Sequence, residues 1–520
     1  MNILEKIKNI PHLGDLKKEG DIWCCKISRD NLASVANILV NEYGLPLSSL
    51  FATDNRKENG VFGVHAIFSL DEIKGWLKIS IEISENDPQY PAVTVFVMAA
   101  HWYERYLRDM FGITPQGHPD LRRLVHHENI PEEVHPLQKD FKLSADEIPH
   151  AKIPYPMHHI EGEGVYEIPV GPIHAGIIEP GHFRFNVAGE RIMTLEGKLF
   201  FTHKGVEKLL EGKDSWQAMP FIENLSGDMS ASHSLAFVQA LEKIAQCGVP
   251  ERALMLRMIV AELERITMHI HDLANIGGMG TGYSFIAANG FRIKERMMRL
   301  SEDILGNRFW RGFIVPGGVL NDLNKDQLNK ILDEAKKAYL EMRNIVKIAL
   351  KSEGFLDRLQ TTGILPLEAA VAFGAVGLPA RASGLARDVR QNHPYASYDK
   401  YPVKIAVKHS SDVFARYRMR VLEMEYSIEL LETLIEKISE GEIKVDFRVK
   451  DGFAIGAVES WRGEILCALE IKNGVIERCF PRDPSFCNWA LFGIMGPGNI
   501  VPDFPLINKS LNLSYSGTDL

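Results

Sequence analysis

The order of apolar and polar positions gives the chain two textures. In the first, Asp30–Tyr43 carries apolar residues at helical spacing and stops at Gly44. Val61–Ser69, Trp76–Ile83 and Ala92–Val97 alternate or run apolar, as strands do. His101–Phe111 returns to helical spacing with many charges. Gly112–Pro156 has no period and is rich in proline and histidine, the composition of a linker.

In the second texture, Gly171–Lys198 reads as turns and strands, and helices dominate from His203 onward. The periodicity predicts helices over Ser230–Cys247, Pro250–Ala274, Ala288–Ile304, Asp326–Ser352 and Ser410–Ser439. Gly248 closes the first, and Pro250 suits the first turn of the second. Ile455–Asn473 alternates again, like a hairpin. The expected fold class is multidomain α+β. A small N-terminal α/β domain (1–145) precedes a linker (146–165) and a mainly helical domain with β elements at both ends (166–520).

Composition agrees with more than one core. The chain has 520 residues, 45% of them hydrophobic and 24% charged, which suits a folded globular protein of two or more domains. Its longest nearly uncharged apolar stretches, Pro91–Ala100 and Ala369–Ala380, are far shorter than the ~20 residues of a membrane-spanning helix. Met1–Ile10 reads as a short amphipathic start and not as a secretory signal. A net charge of −9 argues against nucleic acid as a partner. The expectation is a cytoplasmic protein, held at a membrane through other subunits.

The cysteines are Cys24, Cys25, Cys247, Cys467, Cys479 and Cys487, with no Cys-x-x-Cys pair. They read as buried small hydrophobes. Without clustered thiolates, the chain is not expected to ligate an iron–sulfur cluster by itself. The Gly277-Gly278-x-Gly280-x-Gly282 run follows a helix, whereas a phosphate-binding loop follows a strand and opens a helix. It reads as a flexible loop. His126-His127, His158-His159, Glu161 and Glu163 have no regular metal-ligand spacing. His269 and His271 are two apart and do not share a helix face.

Longer motifs carry a resemblance. YERYLRDMFGI (103–113), GHPDLRRL (117–124) and HPLQKDF (135–141) resemble the C-terminal signature of the C subunit of respiratory complex I. The second half resembles the complex I D subunit and the large subunit of group 4, energy-converting [NiFe] hydrogenases. That likeness rests on Gly171-Pro172-x-His174, Glu179-Pro180-Gly181-His182-Phe183-Arg184-Phe185 and His203-Lys204-Gly205-x-Glu207-Lys208. It continues through Glu262-Leu263-Glu264-Arg265-Ile266 with His269, Arg381-Ala382-Ser383-Gly384, Asp388-Val389-Arg390 and Glu459-Ser460-x-Arg462-Gly463-Glu464. The fusion of both parts resembles the large subunit of formate hydrogenlyases.

One departure changes what the resemblance implies. Such hydrogenases hold nickel and iron with four thiolates from two Cys-x-x-Cys pairs, because these metals need soft anionic sulfur. Here the four positions are Ser226, Met229, Ser514 and Gly517, and Asn512 replaces the usual aspartate. No metal is therefore expected on this chain. In complex I the corresponding cavity binds quinone through a tyrosine and a loop histidine. The tyrosine's window falls at Gly227 with no tyrosine nearby, and the loop histidine is either His174 or His182.

The remaining roles are implied by the resemblance alone. Glu179 matches the glutamate that passes protons from the hydrogenase metals, a task suited to a buried carboxylate. Arg462 matches the arginine that hangs over those metals; a salt bridge to Glu459 or Glu464 is its plain alternative. Lys204 and His269 match positions beside the terminal [4Fe–4S] cluster of a neighbouring B-type subunit, with Lys204 in place of the arginine usual in complex I. For His269 the plain alternative is a satisfied core histidine. The implied partners are that B-type iron–sulfur subunit, a ferredoxin-like subunit and antiporter-like membrane subunits, with quinone as a candidate acceptor. Two functions stay open at this level: redox chemistry in the old cavity, and a scaffold whose site has decayed. An enclosed polar pocket lined by Glu179, Arg462 and His233 marks the first; apolar filling marks the second.

Overall fold

The computed structural model describes residues 3–142, 151–174 and 178–520. The N-terminal part is built on a five-stranded sheet in the order Lys17–Glu19, Ile22–Lys26, Gly75–Ser84, Val61–Leu70, Leu47–Asn55. Neighbours are antiparallel except Ile22–Lys26 beside Gly75–Ser84. The helical pattern of Asp30–Tyr43 forms as a short 3₁₀ turn, an α-helical turn and a π turn, closed by Gly44 at φ +68°.

The expected strand at Ala92–Val97 is absent; Val93–Val95 and Met98–Ala100 are 3₁₀ turns. The cause is Glu104, buried on the helix His101–Phe111. Its carboxylate accepts the N–H groups of Val93 and Thr94 at 2.7 and 2.9 Å, which would otherwise serve a ladder.

The proline-rich tract is packed along much of its length. The Asp109 carboxylate accepts the N–H groups of Leu124, Val125 and His126 at 2.8, 2.8 and 3.2 Å. The Lys198 ammonium donates to the carbonyls of Leu124 and His126 from the other side. Residues 146–150 of the expected linker lie outside the described residues. Its next stretch is tied back through Ala151 N–H to Asn129 and Ile153 N–H to Glu128.

Beyond it, Val165–Val170, His182–Ala188 and Arg191–Lys198 form a three-stranded antiparallel sheet. The long helices are Ser230–Ala245, Glu251–Asn275, Ser284–Leu305, Lys325–Ala349 and Val413–Lys437. Glu251–Asn275 is buried on nearly every face yet carries Glu262, Arg265, His269 and Asp272. Each of these has a buried partner: Arg390 for Glu262, Glu262 for Arg265, Glu423 for His269 and Arg420 for Asp272. Buried charges at these positions are tolerable only because they are paired.

The glycine run after this helix is no flexible loop. Ile276–Gly280 continues as a π turn. A Cβ at Gly278 would meet Ala287 Cβ at 2.4 Å, and one at Gly280 would meet Leu506 at 2.8 Å. Gly277, Gly278 and Gly280 allow close packing, and Gly282 serves a positive φ of +76°.

The C-terminal hairpin gains a third strand, giving Gly452–Glu459, Glu464–Lys472 and Val475–Arg482. Asn473 and Gly474, at φ +54° and +78°, form a tight turn that returns the chain. The third strand is hidden in sequence because it buries Arg478 and Arg482, which breaks the apolar alternation.

This sheet joins the two halves. Phe51 packs on Phe453 and Phe480 with ring centroids 6.1 and 6.0 Å apart. Arg478 donates to the Ala52 carbonyl at 2.9 Å and pairs with Glu207, which also accepts the Tyr106 phenol. One hydrophobic core therefore runs through both halves.

Candidate functional site

The four positions that the hydrogenase resemblance assigns to metal ligands converge. Ser226 and Met229 lie just before the helix Ser230–Ala245, and Ser514 and Gly517 lie at the turn into Tyr515–Asp519. Ser226 Oγ and Ser514 Oγ are 3.0 Å apart, and Gly517 N–H donates to Ser514 Oγ at 2.9 Å. Met229 is fully buried. Beside them is a cavity of about 360 Å³ lined by Glu179, Ser226, Asp228, His271, Asn275, Arg462, Lys509, Asn512 and Ser514, among others.

Arg462 crosses the cavity wall. Its two terminal nitrogens meet the two Asp228 carboxylate oxygens at 2.7 Å each, and its Nε donates to the Asn512 carbonyl. The Trp461 ring lies 3.9 Å below the guanidinium, and Trp461 Nε1 donates to the Asp228 carbonyl. Glu459 and Glu464 instead take Arg381 and Arg482, so neither is the partner of Arg462. Burial pushes the Asp228 carboxyl up, but the Arg462 charge with hydrogen bonds from Arg462 and Ser226 outweighs it and leaves the pKa at about 2.

Glu179 stands at the mouth. In this chain by itself it is exposed and accepts Ser516 N–H at 3.0 Å. Lys204 binds the same residue, donating to Ser516 O and Oγ at 3.0 and 2.6 Å. His233 does not line the cavity. Its Nε2 is 2.9 Å from Asp483 Oδ2, on the far side of the ligand positions. His182 Nδ1 is 3.1 Å from the Gly171 carbonyl, and His174 packs near Phe183 and Tyr515; neither lines the cavity. His269 is fully buried, with Nε2 2.8 Å from Glu423 Oε2.

The residues present do not fit a nickel–iron centre. Two neutral hydroxyls bond to each other, a thioether replaces one thiolate, and a Cβ at Gly517 would stand 2.4 Å from Asp483 Oδ2. Asp483 cannot easily move, because His233 and Ser485 N–H hold it. The cavity keeps polar groups on its wall beside Ile178, Met279, Phe291 and Leu513, and these apolar side chains do not fill it.

Sequence reasoning missed Asp228, His271, Asn275 and Lys509. Asp228 had a signal: it lies between two ligand positions and so beside the arginine that overhangs them. His271 and Lys509 had none, since their place on the cavity depends on how Glu251–Asn275 packs against Phe504–Leu511. Burial, together with the Lys294 charge, lowers His271 to about 4.

This fold and site define a fused large subunit of the complex I and group 4 hydrogenase class, and the chain belongs to that family. Residues 25–147 match the 30 kDa subunit of respiratory-chain NADH dehydrogenase, and residues 280–449 match the 49 kDa subunit. Formate hydrogenlyase subunit 5 of Escherichia coli K12 is 33% identical over 94% of this chain and 87% of its own length. Hydrogenase-4 component G of the same organism is 32% identical over 94% and 86%. The fused C/D polypeptide of the NADH-quinone oxidoreductase of Bacteroides fragilis is 30% identical over 81% and 83%. Among the described residues no helix is long and apolar enough to cross a membrane.

Proposed function

We propose that the chain is the peripheral-arm large subunit of a membrane-associated, energy-converting oxidoreductase that performs no hydrogen chemistry at this cavity. It packs on a B-type iron–sulfur subunit whose [4Fe–4S] cluster delivers electrons. A ferredoxin-like subunit and antiporter-like membrane subunits complete the assembly on the inner face of the cell membrane and couple electron flow to ion transport. The chain itself holds no metal.

One observation carries this reading. The ligand positions are closed by the Ser226–Ser514 contact and by the Gly517–Asp483 approach, while Arg462, Asp228 and a polar cavity are kept beside them. A decayed site would gain apolar side chains, because a void or an unsatisfied polar group costs stability. The retained polar lining favours continuing use of the cavity over a pure scaffold.

The test is metal analysis of the purified native complex, for nickel and iron together, with dye-linked hydrogen uptake. Iron without nickel and without uptake is the expected result. Stoichiometric nickel with uptake would overturn the reading. Quinone reduction by the same preparation then tests whether a quinone is the acceptor.

A further inference from the structure

Lys509 is the unusual member of the cavity wall. It sits on the helix Phe504–Leu511 with 8% of its surface exposed, and it lines the cavity. The buried cations Arg381, Arg462 and Arg478 each have a carboxylate, and Lys198 has several carbonyls. Lys509 has no hydrogen bond, and no carboxylate lies within ion-pair distance of it among the described residues. Apart from Glu179, the acids nearby already hold cations, and the exposed Glu179 makes no ion pair with Lys509. Asp228 holds Arg462, Asp272 holds Arg420 and the Asn512 amide, and Glu179 at the mouth takes Ser516 N–H. The ammonium faces the cavity space with no partner among the described residues, so the wall offers an anion a positive charge that no ion pair occupies.

The rest of the wall suits the same ligand. Asn275, at 4% exposure, has an amide oxygen with no partner, and a turned amide offers N–H in its place. His271 lies on the wall with Lys294 behind it, 3.3 Å from His271 Nδ1. At about 360 Å³ the cavity has ample room for a small carboxylate.

We propose that this cavity binds a small oxyanion of carboxylate size, with Lys509 as its counter-charge and the Asn275 amide as a hydrogen-bond donor. The proposal rests on the reading that no metal fills the cavity. It explains why the site stays polar after losing its thiolates: a different, anionic ligand uses it. The protonation of Lys509 agrees. Burial lowers its pKa to about 8, Asp272 opposes the shift and Arg462 adds to it. A bound anion restores the ammonium.

The test is calorimetric titration of the purified native complex with acetate at constant ionic strength, with acetamide as the uncharged isostere. Saturable acetate binding without acetamide binding is expected. Just above Lys509's pKa of about 8, binding should take up protons, seen as heat that depends on the buffer. Lys509→Met should lower acetate affinity at least about tenfold and abolish proton uptake, while Lys509→Arg keeps binding. Lys509→Met removes an unpaired buried charge, so its unfolding temperature should not fall, which separates lost binding from misfolding. Equal signals from acetate and acetamide, or wild-type affinity in Lys509→Met, would overturn the proposal. Nickel is measured on the same sample: its presence sinks the metal-free reading, whereas no nickel and no acetate binding sinks only this proposal.

Discussion

Arg462 and Asp228 form a two-pronged ion pair, each terminal guanidinium nitrogen 2.7 Å from one carboxylate oxygen. The pair joins the loop before the helix Ser230–Ala245 to the turn between two strands of the C-terminal sheet. Both residues line the cavity beside the four positions that the hydrogenase resemblance assigns to metal ligands.

Breaking this pair should be felt in stability. Asp228→Asn leaves a buried guanidinium with half its bonds and should cost about 1–3 kcal/mol in urea denaturation. The pair also predicts an acid limb. Asp228 has a folded pKa of about 2, below its unfolded value of about 4, so its stabilisation is complete above pH ~4 and is lost as pH falls toward ~2. The variant should lack that limb.

Rebuilding the thiolate set should fail at Gly517. A side chain there meets Asp483 Oδ2 at 2.4 Å, and Asp483 is fixed by His233. Gly517→Ala should destabilise by about 1–3 kcal/mol through overpacking. The quadruple variant Ser226→Cys, Met229→Cys, Ser514→Cys, Gly517→Cys should contain no stoichiometric nickel by elemental analysis.

Glu264 predicts an opposite pH effect. Burial raises its carboxyl to about 8, although Ser232 and Ala231 N–H donate to it. The unfolded chain ionises this group near pH ~4.3, so stability falls as pH rises from there to about 8 and is flat beyond. Glu264→Gln should flatten that slope and be the more stable form at the alkaline end, measured by denaturation across pH.

The contact between the halves hinges on Glu207 and Arg478. Glu207→Ala leaves Arg478 buried and unpaired and should cost about 3–5 kcal/mol. The double variant Glu207→Met, Arg478→Met should recover only part of that loss, because it removes the unpaired charge but leaves the buried Tyr106 phenol and Ala52 carbonyl without these partners. Denaturation of the three variants checks this cycle.

The sequence by itself determined the long helices, the first two strands of the C-terminal sheet and the α+β class, and it carries no cysteine at the four positions that the family resemblance assigns to thiolates. Each follows from local periodicity or from residue identity, and neither needs a fold to be read. Tertiary structure decided the rest, because burial inverts local rules. Glu104 uses side-chain acceptance to turn an apolar run into 3₁₀ turns. Arg478 and Arg482 hide a strand by being buried with partners contributed from elsewhere along the chain. Glu179 belongs to a matching motif, yet its exposure on the cavity wall is visible only in the fold. Lys509 has no motif at all; it faces the cavity only because two helices distant in sequence pack together, and packing is a property that no window of residues contains.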